Sequence, residues 1–79
     1  MPDKHIQELA LGEDDWNSHP LAWRNFVMWV IRTHGLRGTS QYVILDCLKI
    51  ELANWNLTLT ERIVKGTSED LTAWMLSHA

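Results

Sequence analysis

The sequence predicts an all-α fold, a compact bundle of four or five short helices around two central antiparallel helices. Two long segments, Pro20–His34 and Ser40–Trp55, carry apolar residues at helical spacing. The connections between predicted elements are only a few residues long, as neighbours in a helical bundle require. At 79 residues the chain makes one domain, 1–79, with no room for a second core.

At the N-terminus, Asp3 is placed to cap a short helix, Lys4–Leu11. Ile6, Leu9 and Ala10 share one face, and Gly12 supplies the stop. So brief a helix depends on docking against the centre. Glu13, Asp14 and Asp15 follow, upstream of the next helix, whose positive dipole end favours them. Trp16 comes next, then Asn17 and Ser18 as caps, with Pro20 in the first turn, where a missing N–H is harmless.

Pro20–His34 is the central helix. Ala22, Trp23, Phe26, Val27, Trp29, Val30 and Ile31 spread over roughly 200° of its surface. Arg24, Asn25 and Arg32, with Leu21 and Met28 among them, form the outer stripe. Gly35 ends the helix, and Gly38 closes a tight GLRG connection. Thr39 or Ser40 caps the second long helix. On it Ile44, Leu45, Leu48, Leu52 and Trp55 form one stripe, and Val43, Cys47 and Ile50 a narrower second one. Asp46 and Lys49, three apart, are positioned to pair on the exposed side.

The chain breaks at Trp55–Leu57. Thr58 and Glu61 have capping-box spacing, which predicts a short helix from Glu61 to Lys65 ending at Gly66. The alternating LTLT admits a short extended segment instead. A final helix starts at a Thr67 or Ser68 cap, with Glu69 and Asp70 in its first turn and Leu71, Trp74 and Met75 on its apolar stripe. His78 lies near the negative C-terminal dipole, where a cation is favoured.

Composition narrows the function classes. The apolar fraction of 46% is that of a globular chain. Five tryptophans supply either buried area for a small core or interface hot spots. A net charge of −3 argues against a general nucleic-acid binder. The lone Cys47 closes no internal disulfide, and the apolar run Phe26–Ile31 is far shorter than the ~20 residues of a membrane span. The N-terminus lacks the apolar core of a signal peptide. A soluble, cytoplasmic protein is expected.

No active-site motif is present, so the expectation is that the chain is not an enzyme. Cys47 reads better as a small packed hydrophobe than as a nucleophile, because the four histidines lie near predicted helix ends. No CxxC, HxxxH or calcium-loop pattern appears, and neither metal nor cofactor is expected. The best remaining role is a small protein–protein interaction module: an adaptor, regulator or inhibitor, with a homo-oligomer open as well. Trp16, Arg24, Met28, Arg32 and Arg37 are the candidate partner-binding residues, since arginine, methionine and tryptophan are interface-enriched. The competing account is that these arginines are the solvated side of a core helix. The second stripe, Val43, Cys47 and Ile50, either packs on terminal helices or forms a dimer seam. The alternative function is a dimeric helix-turn-helix DNA-binding regulator across Ser40–Gly66, reading through Thr58, Thr60, Arg62 and Lys65. Its poverty in cations weighs against it.

Overall fold

The computed structural model describes residues 5–12 and 15–79. Its elements are strand β1 (Ile6–Ala10), a 3₁₀ turn (Trp16–Ser18), helix α1 (Leu21–His34), helix α2 (Gln41–Ala53), strand β2 (Thr58–Thr60), strand β3 (Ile63–Thr67) and helix α3 (Ser68–Ser77). The fold is therefore mixed: three α-helices and a three-stranded antiparallel sheet, in place of the expected all-α bundle of four or five helices.

Two segments account for the difference. Ile6–Ala10 is a strand, and its register against β3 runs from Ile6 opposite Thr67 to Ala10 opposite Ile63. Its apolar spacing suits the short helix expected over Lys4–Leu11, but so brief a segment does not hold a helix by itself, and it pairs with the edge of β3 instead. The proposed cap Asp3, with Lys4, lies outside the described residues. The second segment is 58–67, where β2 and β3 form a hairpin through a two-residue turn at Glu61 and Arg62. Glu61 takes φ of +54°, a left-handed conformation, and not the interior of a helix. The extended reading of LTLT is the one observed.

β3 is the central strand, in the order β1-β3-β2. Leu9, Val64 and Leu59 form one row across the three strands and face the core. The next row sets Glu8, Lys65 and Thr58 on the opposite face, where Lys65 pairs with Glu8 at 3.5 Å.

Both long helices appear where their spacing predicts and end in the same manner. Gly35 is left-handed, with φ of 64°, and the Leu36 N–H donates to the Ile31 carbonyl at 2.9 Å. Asn56 is left-handed, with φ of 59°, and the Leu57 N–H donates to the Leu52 carbonyl at 2.9 Å. These six-to-one bonds reverse the chain, and each folds the following leucine, Leu36 or Leu57, into the core. Ser40 caps α2 by accepting from the Tyr42 N–H. Thr67 caps α3, accepting from the Asp70 N–H while its hydroxyl donates to the Asp70 carboxylate.

The entry to α1 is built differently from expectation. Pro20 occupies the cap position without a side-chain bond. Asn17 and Ser18 belong to the 3₁₀ turn, which Asp15 caps by accepting from the Asn17 N–H. Glu13 and Asp14, the other members of the acidic run, lie outside the described residues. His19 donates through Nδ1 to the Leu11 carbonyl at 2.6 Å, tying the end of β1 to the start of α1.

The core is one cluster. Phe26, Val30, Leu52, Leu57, Val64 and Trp74 are fully buried at its centre, and Leu48 is buried beside them. Among the described residues, no helix is long and apolar enough to cross a membrane.

Candidate functional site

Two outer helix faces remain after the core is closed. On α1, Trp23, Phe26, Val27 and Val30 turn inward. The opposite side carries Leu21, Met28 and Arg32, all exposed, with Arg24 and Asn25 partly buried on its flanks. Asn25, Met28, Trp29 and Arg32 form one wall of an open groove whose other wall is residues 77–79.

That groove is organised by His78. Its imidazole lies within 5.1 Å of Phe26, 5.7 Å of Trp29 and 6.1 Å of Trp74, measured between ring centroids. The Asn25 side-chain amide donates to the His78 carbonyl at 2.8 Å and fixes the end of α3 against α1. Burial among rings holds the His78 pKa below the ordinary histidine range. The expected cation at the helix C-terminus is thus disfavoured: desolvation outweighs the dipole at this position.

The structure brings only part of the candidate arginine face together. Met28 and Arg32 share the groove wall. Trp16 sits on the 3₁₀ turn, 40% exposed, edge-on to His19 at 6.0 Å. Arg37 is exposed in the connection between α1 and α2. Arg24 is partly buried, and its Nε is shielded from solvent without a hydrogen-bond partner. Neither Trp16, Arg24 nor Arg37 lines the groove.

The second face, on α2, is the more apolar. Leu48 and Leu52 point inward and are buried, with Ile44 and Cys47 partly buried beside them. Outward lie Tyr42 (72% exposed), Ile50 (61%), Val43 (44%) and Leu45 (37%). Of the second stripe, only Cys47 is drawn partly into the core. Val43 and Ile50 are uncovered, because the segment expected to supply an N-terminal helix is instead a strand paired to β3. Tyr42, Ile44, Leu45 and Leu48 line an open apolar groove at the start of the helix. The charged members of the outer face are Asp46 and Lys49, both exposed, and no ion pair joins them. Glu51, on the inner flank, accepts from His34 Nε2 at 3.2 Å and links the ends of α1 and α2.

Among the described residues, no group of three His, Cys, Asp or Glu side chains could hold a metal ion. Both grooves are open; the one on α2 is apolar, and the one between α1 and the end of α3 is the more polar, with Asn25, Arg32 and His78 in its lining.

No family model, curated protein or solved structure matches the chain. The reading of function therefore rests on the geometry of this molecule alone.

Proposed function

We propose that the chain is a small, non-enzymatic protein–protein interaction module, an adaptor, regulator or inhibitor that works by occupying a protein surface. The observation that carries this reading is the uncovered apolar face of α2, with Tyr42, Val43, Leu45 and Ile50 turned away from the core. Single exposed hydrophobes are ordinary, but four on the exposed side of one helix, around Asp46 and Lys49 and beside an apolar groove, support the reading of a contact surface. Met28, Trp29 and Arg32 on α1 offer a second, more polar contact area. A cytoplasmic setting belongs to the same proposal and is supported by a lone cysteine with no internal partner.

The DNA-binding alternative loses support. Its reading helix falls on the β2–β3 hairpin, where Lys65 is paired with Glu8. The outer face of α2 contributes only Lys49 as a cation, against Asp46. Electrostatic contact with phosphates needs several cations, and affinity then falls steeply as salt rises.

The test is a comparison of the wild-type chain with Ile50→Asp, both tagged, in recovery of bound protein from the cell that expresses the chain. Wild type should retain a protein at near-stoichiometric amount, counting untagged copies of the chain itself, and Ile50→Asp should lose it. Identical recoveries from the two would contradict the reading. Retention of duplex DNA at physiological salt would favour the alternative.

A further inference from the structure

We infer that the groove between α1 and the end of α3 docks an acidic peptide segment of a partner protein, a carboxylate side chain beside a large apolar one. The inference rests on the interaction reading above and adds the chemistry of the partner at this second contact area.

The charge of the groove selects the carboxylate. No acidic side chain lines it, and Arg32 is its one permanently charged side chain. The Arg32 guanidinium is exposed and, among the described residues, has no ion pair within the chain. Lys65, by contrast, is matched by Glu8. The planar fork of an arginine takes both oxygens of a carboxylate through two parallel hydrogen bonds.

The wall around Arg32 selects an apolar neighbour for that carboxylate. Met28 stands four residues before Arg32 and Trp29 three, so both side chains lie next to the guanidinium on one side of the helix. Met28 is 48% exposed and Trp29 36%, so each presents apolar surface to the groove. The Trp29 ring lies nearly parallel to Phe26 at 6.5 Å and edge-on to His78 at 5.7 Å. A ring fixed in this way before contact loses little freedom on binding.

The opposite wall selects a peptide over a free anion. Ser77 and His78 belong to the C-terminal end of α3, where the dipole is negative and the last carbonyls lack intrahelical N–H donors. That end repels a small anion, whereas a peptide brings backbone N–H groups along with its carboxylate. An open groove also buries too little of a small free ligand to hold it.

Nitrogen-15 NMR of the purified chain, titrated with the peptide acetyl-Leu-Glu-Leu-amide, tests the inference, with acetyl-Leu-Gln-Leu-amide and sodium acetate as comparisons. The glutamate peptide should shift the Trp29 indole and Asn25 side-chain N–H signals saturably. At low salt it should bind about fivefold tighter than the glutamine peptide, the effect of one exposed charge pair. The margin should narrow at high salt and vanish in Arg32→Gln, while acetate leaves the Trp29 signal in place. Equal binding of the two peptides, a margin that survives Arg32→Gln, or shifts confined to Tyr42 and Ile50 overturn the inference. So does an acetate shift equal to that of the peptide, or the lack of any saturable shift. If the groove fails in this way while Ile50→Asp still abolishes capture of a protein, the interaction reading stands and only the acidic segment is lost as the groove's occupant.

Discussion

Gly66 lies against Leu57 so closely that a Cβ at position 66 would fall onto the Leu57 Cδ2 atom. Leu57 is fully buried, held there by the chain reversal at the end of α2. Glycine at 66 is therefore required by the approach of β3 to the core and not by its backbone angles. In the sequence the same residue reads as the stop of a helix, since a glycine after a short run with capping-box spacing has that meaning far more often.

Gly66→Ala should consequently destabilise the fold by about 1–3 kcal/mol, the usual result of adding a methyl group to a filled core. Pairing it with Leu57→Ala should recover part of the loss, because the second change vacates the space the first one needs. Urea denaturation followed by tryptophan fluorescence would measure both. A neutral Gly66→Ala would show that Leu57 moves aside freely.

The fold was legible in the sequence where periodicity ran long. Helices α1 and α2, the stop of α1 at Gly35, the break of the chain at Trp55–Leu57, and the burial of Phe26, Val30, Leu48 and Leu52 all follow from spacing and end signals, although α2 ends at Ala53, two residues before the expected Trp55. The sheet was not legible. β1 buries little beyond Leu9, so Ile6, Leu9 and Ala10 mimic a helix face although Ile6 is exposed. β3 buries Val64 and Gly66 on one side, an alternation hidden because one of the two inward residues has no side chain. Strand pairing between residues near 8 and near 65 is a tertiary event, with no local signature. Of the proposed arginine face, the exposure of Met28 and Arg32 was readable from the helix wheel. The partial burial of Arg24 depends on neighbours that the wheel does not contain.

His78 should make the fold sensitive to mild acid. Its pKa is lowered in the folded state by burial, so the unfolded chain binds the proton more readily. Stability from this group is complete above the unfolded value near 6.5 and declines as pH falls through it, levelling off below the folded pKa. The urea midpoint should therefore drop between pH 7.5 and pH 5.5, and it should drop less in His78→Phe, which keeps an aromatic ring against Phe26 and Trp29. Equal drops in the two chains would show that His78 is not the source.

Arg24 and Arg32 should behave differently despite lying two turns apart on one helix. Arg32 is exposed, and Arg32→Ala should change stability by no more than about 0.5 kcal/mol. Arg24 is partly buried, and its shielded Nε has no partner. Arg24→Met keeps the stem and removes the shielded polar group, so it should be neutral or stabilising. Arg24→Ala should be the most destabilising of the three. Thermal melts of the three variants would rank them, and a destabilised Arg24→Met would mean that the guanidinium is paired.

The central claim is that the outer face of α2 is free for contact in the folded chain, and Ile50→Asp tests it most directly. Its unfolding free energy would be measured by urea titration at a protein concentration low enough to keep the chain monomeric. The value should lie within about 0.5 kcal/mol of wild type, as for a surface change, while Leu52→Ala on the inner face loses about 2–5 kcal/mol. A loss of 2 kcal/mol or more from Ile50→Asp would place that side chain in the packed interior and contradict the claim.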